Sequence, residues 1–300
     1  MAETGLAAVA QGAAAMVTPT VDQLAAARDA RAAHSAPNRL AHRAGLYTLY
    51  LRIYARTLVE YRADTWVALA AGLLLQAAGF LFLSVVLQRV PRLAGWSFEE
   101  LVFVYGFAST VGAVSTTFLN APFDVHSHIR GGSLDVFLLR PVGPLFQVIG
   151  LSQQPNSLSV ALTGLILMAY SSHELGIVWT AGWLTYLLIA LASGAFIMFA
   201  VLMLVATLAF WFEVRSLLYP MRWLYDFTRY PLDIFTLPVQ ALLTFVIPYG
   251  LASYYPAAYL LRPAAYAWAA WTVPLSALAL TFLAYRFWTF GLRRYVSVGG

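Results

Sequence analysis

Long uncharged stretches, divided by short charged ones, organise this chain. A helix rising 1.5 Å per residue needs roughly 20 apolar residues to cross the hydrocarbon of a bilayer. The first stretch of that kind covers residues 65–87 and the second 101–123, joined by the short "QRVPRLAGWSFEE". A third covers 155–172, with a proline in its first turn, where a missing N–H costs nothing. The preceding "VGPLFQVIGLSQQPNS" has a polar centre that suits the membrane interface. Residues 177–212 carry no charge, and Gly194 in their middle is flanked by good helix formers, so one long tilted helix is predicted. The last predicted span is 263–285, followed by the basic "RFWTFGLRRYVSVGG".

Two readings remain for the segment between the last two spans. In one, "EVRSLLYPMRWLYDFTRYPLD" lies on the cytosolic surface and residues 234–254 form the fifth span. In the other, the fifth span lies near 215–230 and the following apolar segment enters the outer leaflet and returns. Arg222, Asp226, Arg229 and Asp233 are spaced four, three and four apart, so on one helix they form a ladder of alternating sign. Paired charges facing a bundle interior are the form in which ions survive within a membrane. The ladder is either a structural clamp or part of a translocation path that touches a polar headgroup or anionic substrate.

Ahead of the first span the pattern becomes amphipathic. Leu46, Leu49, Tyr50, Ile53, Thr57, Leu58 and Tyr61 recur three or four residues apart, with Arg52, Arg56, Glu60 and Arg62 towards the other side. This spacing predicts a helix lying along the membrane surface over residues 46–61. Residues 1–44 are alanine-rich, start with Glu3 rather than a basic run, and lack a leucine-rich core. They are expected to form a mobile cytoplasmic tail before a membrane domain over 45–300.

Composition sharpens this picture. The chain is 61% hydrophobic and 10% charged, where a soluble domain carries about a quarter charged residues. An all-α integral membrane protein follows. There is no cysteine, which excludes disulfides, thiol catalysis and thiolate metal sites. All 18 basic residues are arginine, so the phosphate-binding lysine of a P-loop and a Schiff-base lysine are both absent. The net charge of +5 is not gathered on one nucleic-acid-binding face. With the fifth span at 234–254, all arginines except Arg89, Arg92 and Arg262 fall on the side of the N-terminus, which marks that side, and both termini, as cytoplasmic.

The cytoplasmic connection "DVHSHIRGGSLDVFLLRP" (124–141) is unlike a plain loop. Asn120 and Asp124 can cap a short helix, Pro122 suits its first turn, and Gly131-Gly132 can end it through a left-handed cap. Ser133 can cap a second turn, stopped by Pro141. Ile129, Leu134, Phe137 and Leu138 then offer apolar anchors ringed by Asp124, His126, His128, Arg130, Asp135 and Arg140. Such a surface suits docking of another protein, or an interfacial turn resting on lipid. His126 and His128 diverge around a helix, so no metal is expected there. Glu99 and Glu100 read as capping or solvated carboxylates, and the tryptophans near span ends as an aromatic belt.

"IRGGSLDVFLLRP" resembles the pattern I-R-x-G-x-L-D-x-x-L-L-R-P of a family of permease subunits of ATP-binding-cassette transporters of the type-two exporter class. "RYPLDIFTLPVQALLTFVIPYGLASYYPAAYLL" is similar to that family's region before its last span, with Pro238 and Pro248 ten residues apart. The likeness covers roughly residues 46–295. It implies six spans, an amphipathic elbow helix at 46–61 and a coupling helix at 124–139. It also favours the fifth span near 215–230, and a re-entrant outer segment over 238–261 containing Tyr254, Tyr255 and Pro256. The docking residues implied are Asp124, His126, His128, Ile129, Arg130, Gly131, Gly132, Leu134, Asp135, Phe137, Leu138 and Arg140. The implied partners are two ABC ATPase subunits, which carry the ATP and magnesium, and a second permease chain, the same or related. This chain itself would hold no cofactor and would sit among lipids in the inner membrane. An ion-coupled secondary carrier would instead show inverted repeats and midplane acids. A membrane-embedded lipid-metabolising enzyme would need clustered His, Asp and Glu, whereas the five histidines are dispersed. A membrane anchor for a cytosolic partner would use the docking insert alone.

Overall fold

The computed structural model of the chain describes residues 45–52, 55, 59–60, 62–89, 92–154 and 157–296. The expected tail, residues 1–44, and much of the second half of the expected elbow helix lie outside the described residues. Residues 45–52 are helical, as the amphipathic spacing predicts.

The unit that begins at Tyr54 is built from helices; among its described residues the only strand-like pairing is an isolated bridge between Leu93 and Trp96. Helix α1 is Arg62–Arg89 and α2 is Phe98–Phe118. A short α3, Ala121–Arg130, and α4, Leu134–Leu138, follow, then α5, Pro144–Leu151. Helix α6 is Leu158–Glu174, α7 is Ala181–Thr207, and α8 is Arg215–Asp226. After α8 come the short α9, Leu237–Ala241, α10, Tyr249–Ala252, and α11, Tyr254–Leu261. Helix α12, Ala269–Leu292, closes the fold. Among the described residues, three helical stretches are long and apolar enough to cross a membrane: Phe98–Arg130, Ala181–Phe210 and Ala269–Leu292.

The core centres on α2, whose residues from Leu101 to Ala113 are buried on every side. Its start is fixed by a capping box: Ser97 Oγ accepts from the Glu100 amide, and the Glu100 carboxylate accepts from the Ser97 amide. Helices α2 and α6 meet backbone to backbone at Gly106 and Gly164. A Cβ on Gly106 would lie 2.7 Å from the Gly164 carbonyl oxygen, so only glycine permits this approach, as is usual where helices pack in lipid. Helix α7 packs between α2 and α12, and at Gly194 it abuts the Ala252 carbonyl of α10.

The long fourth stretch forms one helix, as predicted, opened by Thr180, whose Oγ1 accepts from the Trp183 amide. Several boundaries move. The second span stops at Phe118 rather than 123, because the chain breaks at Leu119–Asn120 and restarts over Pro122. Phe123 therefore belongs to the surface element. The last helix starts at Ala269 rather than 263; residues 263–268 instead turn back, with Ala265 N bonded to the Arg262 carbonyl at 3.1 Å. It runs on to Leu292, through the basic segment.

Residues 234–254 are not a span. They divide into α9, a π-turn at Leu242–Val246 and α10. Helix α8 begins at Arg215, with Pro220 inside it, and continues as a 3₁₀ turn, Phe227–Arg229. It ends before Pro231, which cannot donate a helical N–H and disfavours helix at Tyr230. Tyr225 pins α8 to the core: its hydroxyl donates to the Ala108 carbonyl at 2.7 Å.

Candidate functional site: a bent surface element beneath a polar cleft

The segment 121–143 folds as two short helices at an angle, set by the glycine pair. Gly131 caps α3 at φ −84°, and Gly132 takes the left-handed turn at φ +71°, the conformation that favours glycine. The expected side-chain caps do not form. Asn120 and Ser133 occupy the cap positions without bonding the helix amides. Ser133 Oγ instead bonds His128 Nδ1 at 2.8 Å, tying the two arms of the bend together, and the His128 ring packs edge-on against Phe137 at 5.0 Å.

Burial sorts the predicted docking residues into two groups. Leu134, Ile129 and Phe137 point into the protein's own core. They are buried within this chain and fix the bend from inside. His126 is buried too, and its Nε2–H donates to Glu213 Oε1 at 2.9 Å, joining α3 to the segment that links α7 to α8. The exposed side carries Arg130, Val136, Leu138, Leu139 and Arg140; Leu139 is 87% exposed. Behind it, buried Gln147 of α5 donates to the carbonyls of Phe137 and Val142 at 2.9 and 2.7 Å, locking the turn that leaves α4. Tyr295, after α12, lies beside Asp135; burial, then this carboxylate, push its phenol pKa up.

Above α3 a cleft of about 520 Å³ opens between α1, α2, α6 and α8. Its wall includes Gln76, Ser109, Thr116, Asp124, Arg215, Arg222 and Arg229. Three members of the predicted ladder meet here. Asp226 Oδ1 lies 3.6 Å from Arg222 Nη1 and 3.0 Å from Arg229 Nη2, so one carboxylate is shared by two guanidiniums. Arg229 also donates to Gln76 Oε1 at 3.2 Å and to the Tyr105 hydroxyl at 3.4 Å. Asp233 does not join the ladder. The helix has already ended at Tyr230, so the four-three-four spacing no longer describes one face.

The model of one family, described as ABC-2 family transporter protein, matches residues 73–299. The chain belongs to the ABC-2 transporter family. No curated protein and no solved structure matches it. Membership makes this a membrane transport permease, a component not itself catalytic, of a kind that associates with ABC ATPases.

At the end of this ABC-2 transporter remote from α3 and α4, Asp233, Glu100 and Arg262 are held in a polar and aromatic cluster. Asp233 Oδ2 accepts from the Tyr254 hydroxyl at 2.7 Å and Trp96 Nε1 at 3.1 Å. Tyr254 and Tyr266 hydroxyls are bonded at 2.9 Å. Arg262 grips Glu100 through Nε and Nη2 at 2.8 and 2.6 Å, donates to the Gly95 carbonyl, and stacks 3.8 Å from the Trp96 ring centre. The hydrogen bond to Glu100 holds its pKa above the ordinary guanidinium range. Of the predicted outer residues, Tyr254 and Pro256 are buried here, and Tyr255 bonds Thr244 at 2.9 Å. Pro238 opens α9, and Pro248 sits at the cap of α10.

The sequence reading did not identify Gln76, Ser109, Tyr105, Gln147 or Glu213. An uncharged polar residue inside an apolar run carries a weak signal for Gln76, and Glu213 stands out as an acid directly after a long span. Their partners are remote in sequence, so nothing local points to the pairing.

Proposed function

We propose that this chain is the permease subunit of an ATP-driven exporter, coupled to separate ATPase subunits through residues 124–141. The carrying observation is the construction of that element. Its bend is anchored from within by Ile129, Leu134 and Phe137 and tied to Glu213 through His126. Its outer side presents Val136, Leu138 and Leu139 between Arg130 and Arg140. A rigid lever with an apolar crest and a basic rim is what force transfer through a protein contact requires. A flexible connector would dissipate the motion.

In this reading α1, α2, α6, α7, α8 with its 3₁₀ turn, and α12 are the six spans. Residues 46–61 are the elbow, and α9–α11 form the re-entrant outer segment. Both termini are cytoplasmic, in the inner membrane. A second permease chain, identical or related, completes the path, and two ATPase subunits hold ATP and magnesium. Their closure pushes on α3 and α4, and the permease pair rocks between inward- and outward-facing states. Purification on a tag at this chain tests the proposal. Co-isolated P-loop ATPase, lost on Leu139→Glu while the permease stays folded, supports it; a permease that emerges without any ATPase overturns it.

A further inference from the structure

We propose that the cleft between α1, α2 and α8 is a binding site for an acidic oxyanion group of the phosphate class, which would make the transported molecule, or a lipid that regulates transport, an anion. The proposal rests on the permease reading above and adds the ligand's chemistry.

The first observation is charge balance. Three guanidiniums, those of Arg215, Arg222 and Arg229, line the cleft against the single lining carboxylate of Asp124. Asp226 is shared by Arg222 and Arg229, so cations exceed anions even when it is included. The other nearby acid, Glu213, is engaged by His126. Arg215 and Arg222 are seven residues apart on α8, two helical turns, and so face the same way about 10 Å apart. The Arg222 and Arg229 side chains are 23% and 21% exposed. A guanidinium presents a planar fork of donors that matches phosphate or carboxylate oxygens.

The second observation is independent of charge. Gln76 is 3% exposed and Ser109 1% exposed, and both line the cleft. Gln76 Oε1 accepts from Tyr105 and Arg229, which fixes the amide so that its NH₂ is directed elsewhere. Among the described residues, neither that Nε2 nor Ser109 Oγ has a hydrogen-bond partner, nor does Arg229 Nε. Buried donors without partners are costly. The residues that carry them line the same cleft as the guanidiniums, and an anion with several acceptor oxygens would supply the acceptors that this wall lacks.

The test uses the full-length chain in detergent, with native mass spectrometry reading bound ligand. The probes are phosphatidylglycerol, zwitterionic phosphatidylcholine and inorganic phosphate. We expect phosphatidylglycerol to be retained about tenfold better than phosphatidylcholine, and Arg222→Gln to abolish the preference. Displacement of phosphatidylglycerol by millimolar inorganic phosphate identifies a site that reads the free oxyanion. Retention in its presence identifies one that needs the lipid-borne group. Because Arg222→Gln also disturbs Asp226, the pair Gln76→Met with Ser109→Ala provides a milder change. It removes the two unpartnered donors together with the Gln76 Oε1 that accepts from Tyr105 and Arg229, leaves every charge of the cleft in place, and is expected to weaken retention several-fold while the protein still elutes as a folded species in size-exclusion chromatography. Equal retention of the two lipids with no binding of inorganic phosphate overturns the proposal, and so does a preference that survives both variants. ATPase co-purification from the Gln76→Met, Ser109→Ala variant separates the two readings. If it persists while anion selectivity is missing from the wild type, only the ligand assignment has failed. If no ATPase associates yet selectivity is present, the coupling reading has failed.

Discussion

The two ends of the bundle treat charge in opposite ways. At the end formed by Trp96, Tyr254, Arg262 and Tyr266, donors and acceptors match: Glu100 and Arg262 are paired twice over, and Asp233 accepts from Trp96 and Tyr254. Aromatic rings fill the space between them. In the cleft near α3, donors outnumber acceptors, and the buried Gln76 and Ser109 retain unpartnered atoms. A matched and sealed cluster stabilises one arrangement. An unmatched open one has capacity left for a ligand. In the orientation proposed above, the matched end is the outer side and the unmatched cleft opens on the inner side, next to the element on which an ATPase would act.

The largest effect is steric and falls between the two ends. Gly194 of α7 faces the Ala252 carbonyl with no room for a Cβ, so Gly194→Leu should destabilise by about 3 kcal/mol or more and reduce the yield of folded protein, read by size-exclusion chromatography in detergent. Removing charge at the sealed end is milder. Glu100→Gln keeps the helix cap but not the ion pair with Arg262, and should cost about 1–2 kcal/mol, read as a lower melting temperature with ATPase association unchanged. Tyr254→Phe removes one hydroxyl from Asp233 and should cost about 1 kcal/mol. At the opposite end, Leu139→Glu changes a side chain that is already exposed, so stability should move by less than about 0.5 kcal/mol, while retention of the ATPase falls at least tenfold. Equal stability losses at both ends would erase the distinction.

Hydropathy was a good guide where one element decides its own fate. The fourth span is apolar throughout and forms a single helix, α7. The glycine pair at 131–132 marked the bend, because a left-handed residue is a local requirement. The misreadings arose where distant partners decide. The ladder from Arg222 looked continuous, but Pro231 ends the helix, and Asp233 is claimed by Trp96, 137 residues away in the chain. Ile129, Leu134 and Phe137 stood out as apolar, but apolar residues in a polar loop have no local sign of which way they face. Their burial depends on α5 and the end of α7. The cleft was half visible: its arginines stood out as charges in an apolar chain, whereas Gln76 and Ser109 lie in ordinary span sequence and acquire meaning only when α1, α2 and α8 converge.

The central claim is that α3 and α4 form a rigid lever driven by a separate ATPase. The most direct measurement is the subunit composition, by native mass, of the complex isolated from membranes on a tag at this chain, in the wild type and in Leu139→Glu. The account predicts two permease chains with two ATPase subunits for the wild type, and a folded permease stripped of ATPase for the variant. A wild-type permease without ATPase, or a variant that keeps its full complement, would contradict it.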